Sequence, residues 1–192
     1  MLDFFQSIDE SIFFFINHTL SNPLFDKFFP FITDVHNWYL VYVLLLGTVL
    51  VKGGRIGRIA VIMSLFMIAF SDQFSSNLLK NTFERIRPCN ALENVNILAG
   101  CTGSYSFPSS HAVNNFAVAM FFYAFYPNLK KILFITAAII AISRPYVGVH
   151  YPFDIVMGAL IGTGIGYIFS VLAMKLNEQI NRKFPSKEMV SE

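Results

Sequence analysis

Residues Ile155 to Met174 read IVMGALIGTGIGYIFSVLAM, a run without a single charged side chain. An α-helix needs roughly 20 mostly apolar residues to cross the hydrocarbon core of a bilayer, and this run supplies them. Four further stretches are nearly free of charge: His36 to Val51, Ile59 to Ser71, Tyr105 to Leu129 and Ile132 to Ser143. To reach span length the second must run past Asp72 towards Leu79, and the last must take in Arg144. Ionisable residues at membrane depth are costly and mark functional sites, so both stand out. None of these runs keeps a polar face for water, which excludes buried helices of a soluble protein.

Composition agrees. Of 192 residues 55% are hydrophobic and 14% charged, with a mean hydropathy of +0.55, well outside soluble usage. The 22 Phe, 8 Tyr and 1 Trp exclude a disordered chain. The expected fold is all-α, a polytopic transmembrane bundle of five to six spans forming one domain over residues 1–192.

In residues 1–33, Phe4, Phe5, Ile8, Ile12, Phe15 and Ile16 recur at helical spacing, with Gln6, Ser7, Asp9 and Glu10 on the other side. That pattern fits an N-terminal interfacial amphipathic helix. Leu24 to Thr33, interrupted by Asp26, Lys27 and Pro30, either stays separate or joins it as a broken sixth span. Acids stand where a secretory signal carries its basic residues, so the segment is expected to remain attached.

The formal net charge of +2 gives no reason to expect a nucleic-acid partner. Position matters more. Lys52, Arg55 and Arg58, then Lys130 and Lys131, then Lys175, Arg182, Lys183 and Lys187 all follow or precede spans on one side. By the positive-inside rule that side is cytoplasmic. Residues 81–107 then form an extracytoplasmic loop, 145–153 lie on the same outer face, and 177–192 form a polar cytoplasmic tail. Cys89 and Cys101 share the outer loop, where they are either bridged or free thiols; no CxxC or Cys/His cluster indicates zinc.

Three polar clusters meet at that outer face. In Lys80-Asn-Thr-Phe-Glu-Arg-Ile-Arg87-Pro88, a continuing helix would align Lys80, Glu84 and Arg87 on one stripe, where two cations address one anion. On its own the cluster also reads as a snorkelling basic helix end. Phe107-Pro-Ser109-Ser110-His111 opens the third span, and a helix N-terminus with two hydroxyls is suited to phosphate oxygens, although a plain N-cap explains it equally. Ser143-Arg144-Pro145 and His150-Tyr-Pro-Phe-Asp154 close the set. A carboxylate at Asp154 can fix the His150 tautomer and leave its other nitrogen as a nucleophile. Together they compose a phosphate-binding and phosphoryl-transfer set. A His111, His150, Asp154 metal site among Lys80, Arg87 and Arg144 would suffer cation repulsion, so no metal and no cofactor is expected, and the cations serve as charge clamps.

Apart from one position, these segments follow the order K-x6-R-P, then P-S-G-H, then S-R-x5-H-x3-D, which resembles the type-2 phosphatidic acid phosphatase superfamily of integral membrane lipid phosphatases. Ser110 stands where the family pattern has Gly. The resemblance implies that His150 is the nucleophile that becomes phosphohistidine, Asp154 orients it, and His111 protonates the leaving oxygen and then activates water. It also implies that Lys80, Arg87, Ser109, Ser110 and Arg144 hold the phosphate. The chain length is similar to that of compact bacterial members, so the expected activity is hydrolysis of a phosphomonoester on a membrane lipid, with a lipid A 1-phosphatase in first place. Undecaprenyl pyrophosphate and phosphatidylglycerophosphate phosphatases are the alternatives. The expected partners are the lipid substrate and the bilayer, without an obligatory protein partner, in a bacterial inner membrane with the site facing the periplasm. A small transporter or a non-catalytic lipid-binding protein are the competing classes; the first wants more polar residues in mid-span than Asn114, Asn115 and Thr163, and the second has no need of His150.

Overall fold

The computed structural model describes residues 2–184, whose regular elements are all helices, with no strand among them. The order is α1 (Leu2–Phe14), a wide turn Phe15–Thr19, α2 (Phe25–Thr33), α3 (Tyr39–Lys52), α4 (Gly54–Gln73), a π-helical stretch Phe74–Leu79, α5 (Lys80–Phe83), α6 (Pro88–Ala91), α7 (Ser110–Phe125), α8 (Lys130–Tyr146) and α9 (Pro152–Lys183). Three segments have the length and apolar content to cross a membrane: Val35–Lys52, Gly54–Ala91 and Pro152–Lys183. The five expected spans correspond to α3, the α4-to-α5 rod, α7, α8 and α9.

Two boundaries differ from expectation. The third span starts at Ser110 rather than Tyr105, because Phe107-Pro108 and the residues before it are irregular. The last helix does not give way to a polar tail at Asn177 but continues to Lys183. The remainder of that expected tail, with Lys187, lies outside the described residues.

The bundle is organised around α7. One apolar cluster, Ile59, Ala60, Met67, Val113, Ala117, Phe121, Ile165 and Ala173, joins it to α4 and α9. A second, Ala112, Ala141 and Ile155, joins it to α8 and α9. The α7/α9 seam is backbone against backbone. A Cβ placed on Gly162 would stand 2.2 Å from the Val113 carbonyl oxygen, one on Gly166 2.3 Å from the Ala117 carbonyl oxygen, and one on Gly158 2.9 Å from the Ala112 Cβ. Small residues four apart permit this approach, which in lipid replaces hydrophobic burial as the source of helix association. By contrast α3 buries no residue, and Leu40, Val43, Leu44 and Val51 are exposed apolar side chains of the kind that lipid covers.

At one end of the bundle Arg55 bonds Asn181 and the Phe184 carbonyl, so the α4 start and the α9 end adjoin. A pocket there is lined by Lys52, Gly53, Ile56, Phe125 and Tyr126, which places the α3–α4 and α7–α8 turns together. The opposite end collects the C-terminus of α5 and the starts of α7 and α9. In α1 Phe4, Phe5 and Ile12, and just beyond it Phe15, are exposed as the amphipathic pattern requires. The polar side is divided, however: Gln6 and Ser7 are exposed, whereas Asp9 is fully buried, as is Asn17 in the turn that follows. Asn17 bonds the Asn96 and Tyr146 carbonyls, and Tyr146 donates its hydroxyl to Asp26 of α2.

Candidate active site

The α9 helix begins at Pro152, whose missing N–H costs nothing in a first turn. Asp154, two residues on, folds back so that its Oδ2 accepts the Tyr151 N–H at 2.9 Å. His150 lies one residue before that cap and is almost wholly enclosed. Gly148 makes its approach possible: φ is +88° there, and a Cβ would meet the Asn96 carbonyl oxygen at 2.8 Å.

His150 Nδ1 is 3.3 Å from Asp154 Oδ2, and its Nε2 is 3.2 Å from Arg87 Nη1. A guanidinium can only donate, so Nε2 is the unprotonated nitrogen and Nδ1 carries the proton. Burial, and secondarily the Arg144 and Arg87 charges, push the His150 imidazole down to about 3 against the pull of Asp154, so the ring is neutral at pH 7. Ser106, which also faces Nδ1, donates its hydroxyl to Asp154 Oδ2.

Arg87 is held by four bonds. Nε and Nη2 reach the Ser104 carbonyl and hydroxyl at 2.8 and 2.9 Å, and Nη1 reaches the Val149 carbonyl at 3.0 Å besides His150. Cys89 and Cys101 are joined by a disulfide, which ties the chain three residues before Ser104 to α6. Lys80 is buried within charge range of Arg87 and Arg144, and His111 is within charge range of Arg144, His150 and Lys80. Arg144 donates from Nη1 to Thr33 at 2.7 Å.

Among the described residues two buried side-chain polar atoms have no hydrogen-bond partner: Arg144 Nε and Ser109 Oγ. Such orphans are rare in a folded protein and imply a ligand or solvent partner. Both belong to residues expected to hold phosphate, and Ser109 also stands at the N-cap of α7, at the positive end of the helix. Ser109 N–H bonds the Asp154 carbonyl at 3.1 Å, tying the two helix starts together.

The geometry departs from expectation in three places. The helix stops at Phe83, and Glu84 takes a left-handed conformation (φ 49°), so Lys80, Glu84 and Arg87 share no stripe. The chain from Glu84 to Arg87 is irregular, and Arg85 and Arg87 turn inward while Glu84 and Ile86 are exposed. Ser110 turns its hydroxyl to Ser75 and Ser76, 3.1 Å from each, leaving Ser109 as the hydroxyl without a partner. Asp72 is not in the cradle either: it accepts from Asn114, which also receives the Ser71 hydroxyl.

Side chains with no expected role are also bonded into the site: Thr33 and Ser104 on the clamp arginines, then Ser106, Arg85 and Asp9. Ser106 is described above. Arg85 spans two carboxylates, 2.7 Å from Asp154 Oδ1 and 2.6 Å from Asp9 Oδ2. Among the described residues no group of three or more His, Cys, Asp or Glu converges as a metal site.

A neutral imidazole backed by a carboxylate, with three cations and an unpartnered helix-cap hydroxyl around it, is the equipment of a membrane-embedded phosphotransfer site. The sequence profile of the PAP2 superfamily matches residues 60–178, a stretch that contains every one of these groups except the α1 and α2 contributions. The chain belongs to that superfamily and is a membrane phosphatase. It is 31% identical to a protein of Bacteroides thetaiotaomicron named lipid A 4'-phosphatase, over 96% of this chain and 85% of that one. It is also similar to the crystal structure of Aquifex aeolicus LpxE, with a TM-score of 0.62 and 27% identity, covering 86% of this chain and 93% of that one. The PAP2-type phosphatidylglycerolphosphate phosphatase of Bacillus subtilis is likewise similar, with a TM-score of 0.62 and 25% identity over 92% of this chain and 88% of the other.

Proposed function

We propose that this protein hydrolyses a phosphate monoester of lipid A through a covalent phosphohistidine, with the site on the extracytoplasmic face of a bacterial inner membrane. One observation carries the reading: Asp154 holds the Nδ1 proton of His150, and the free Nε2 faces Arg87. A phosphate oxygen draws Arg87 Nη1 away from that nitrogen, and the lone pair is released as the phosphorus arrives. Nε2 attacks phosphorus, the bond to the lipid oxygen breaks, and His111 as imidazolium gives that oxygen its proton. Water then attacks the phosphohistidine, loses a proton to His111, and releases inorganic phosphate with His150 restored. Lys80, Arg87, Arg144 and Ser109 stabilise charge on the equatorial oxygens, which is the main work of phosphoryl transfer. The scheme uses no cofactor and no partner protein.

The choice of lipid A rests on the Bacteroides relative's name, which favours the 4'-phosphate over the 1-phosphate expected from the resemblance. A cavity of about 660 Å³ lined by Phe5, Phe107, Phe153, Val156 and Met157 lies beside Arg85 and offers an acyl chain a place next to the site. The extracytoplasmic orientation rests on the basic residues gathered at the far end of the bundle.

The test is phosphate release by the purified protein in detergent from lipid A, prenyl pyrophosphate and phosphatidylglycerophosphate, with mass spectrometry of the lipid A product. The expected product retains the 1-phosphate and has lost the 4'-phosphate, and His150→Ala abolishes its formation. Preference for another lipid would overturn the substrate assignment, and activity surviving His150→Ala would overturn the mechanism.

A further inference from the structure

The reaction as written gives Asp9 no task, yet this carboxylate is completely enclosed, and its hydrogen bonds run to the neighbours of Asp154. Oδ2 accepts from Arg85 Nη2 at 2.6 Å, and Oδ1 accepts the backbone N–H of Phe153 at 2.9 Å. The other arm of the same guanidinium donates to Asp154 Oδ1 at 2.7 Å. Arg85 is further confined by the Tyr151 ring, whose centroid is 3.9 Å from its Cζ, and Phe13 of α1 packs on that ring from 5.8 Å. Taking a carboxylate out of water costs several kcal/mol unless it is paired. A helix that merely covers the bundle would place an apolar residue there.

We propose that Asp9 is a positioning residue for the reaction: through Arg85 and the Phe153 N–H, α1 sets the orientation of Asp154 and thereby of the His150 ring. The proposal rests on the phosphohistidine reading of His150. Among the described residues Asp154 Oδ2 takes three donors, from Ser106, Tyr151 and His150, whereas Oδ1 takes Arg85 alone. Arg85 therefore fixes the rotation of the carboxylate about its Cβ–Cγ bond, and Asp9 fixes Arg85. The His150 bond, at 3.3 Å, has the least slack to lose. Among the described residues no hydrogen bond links Asp9 or Arg85 to Lys80, Arg87 or Arg144, so phosphate binding is left to groups that Asp9 does not touch.

The experiment compares the full-length protein with Asp9→Asn, Asp9→Ser, Arg85→Met and the Asp9→Asn/Arg85→Met double variant, using dioctanoyl phosphatidic acid and lipid A in detergent. Ser at position 9 keeps an acceptor for the Phe153 N–H but has no charge for Arg85. Both Asp9 variants are expected to lose about 10- to 100-fold in kcat, the scale on which partners behind a catalytic group act. KM and vanadate affinity are expected to stay within about twofold, because the phosphate-holding groups are untouched. The double variant is expected to be no slower than Arg85→Met alone, the signature of two residues acting as one unit. Wild-type kcat in both Asp9 variants, losses that multiply in the double variant, or failure of both Asp9 variants to yield monodisperse protein would each overturn the proposal while the wild type remains active. A wild type inactive on every lipid phosphate removes the phosphatase reading, and this inference with it.

Discussion

The α7/α9 seam and the 84–109 loop deliver groups to one point by opposite physical means. The seam does so by close packing: glycines at 158, 162 and 166 let two backbones meet, and the two helix starts stand side by side with Ser109 and Asp154 at their tips. Its geometry is inseparable from the fold. The loop packs Cys89, Leu98 and Ala99 on Tyr146, Val147 and Val149, but it holds Arg85 and Arg87 by hydrogen bonds and ion pairs, with a disulfide closing part of it. Damage to the seam should therefore remove the protein, whereas damage to the loop should remove activity and leave the bundle. Of the three cations that must meet a substrate, Arg87 comes from the element that can be altered without collapse, while Lys80 and Arg144 stand on helices of the bundle.

The severest way to break this comparison is Gly162→Val. The new side chain points at the Val113 carbonyl, 2.2 Å from where its Cβ would sit, and neither backbone can yield. Loss of monodisperse protein in size-exclusion chromatography is expected, with activity lost alongside. Gly164→Ala on the same helix meets nothing within 4 Å and should behave as wild type, so equal tolerance of both changes would show that the seam is not close-packed. Next in size is Arg87→Lys. An ammonium cannot reproduce a fork that reaches Ser104 twice, Val149 and His150. The expected loss in kcat is about 10²–10³-fold, the usual cost of a missing transition-state donor. The protein should remain folded by circular dichroism and size exclusion, and collapse on a par with Gly162→Val would erase the distinction.

The same contrast explains what the sequence discloses. Seam and spans are legible because lipid imposes a long-range pattern: runs free of charge mark α3, α4, α7, α8 and α9, and His150 with Asp154 sits four residues apart at a helix start. The loop is governed by local turns and distant partners. Lys80, Glu84 and Arg87 suit a helical stripe only if the helix continues, yet Pro88 biases Arg87 to extended backbone, and alternation then pairs Arg87 with Arg85. That alternation is the one sequence signal for Arg85. Ser106 carries none, and Asp9 meets Phe153 across 144 residues of chain. In α1 the amphipathic pattern reveals a helix with an apolar side but is silent on whether its polar side faces water or another buried charge. Ser110 illustrates the remaining gap. Its position beside Ser109 makes both hydroxyls equal candidates, and only the packing of the π-helical stretch Phe74–Leu79 against the start of α7 commits it to Ser75 and Ser76.

The smallest effect concerns the residue where the two regions meet. His150 lies between the loop's Arg87 and the seam's Asp154, and enclosure holds its imidazole down to about 3, far below the usual 6.5 of an unfolded chain. Between those values the unfolded state binds a proton that the native state refuses. Stability must then rise with pH across this window and fall as pH drops below 6.5, by at most about 1.4 kcal/mol per pH unit from this group. Above pH 6.5 both states carry neutral imidazole, and the slope from His150 vanishes. The measurement is the thermal midpoint of wild type and His150→Asn between pH 7.5 and about 5, low enough for the window yet above the range where carboxylates dominate. The wild type is expected to lose more stability on acidification than the variant. Equal slopes would mean that the ring accepts a proton in the folded protein, and with it that the loop and seam do not close over His150 as tightly as their packing implies.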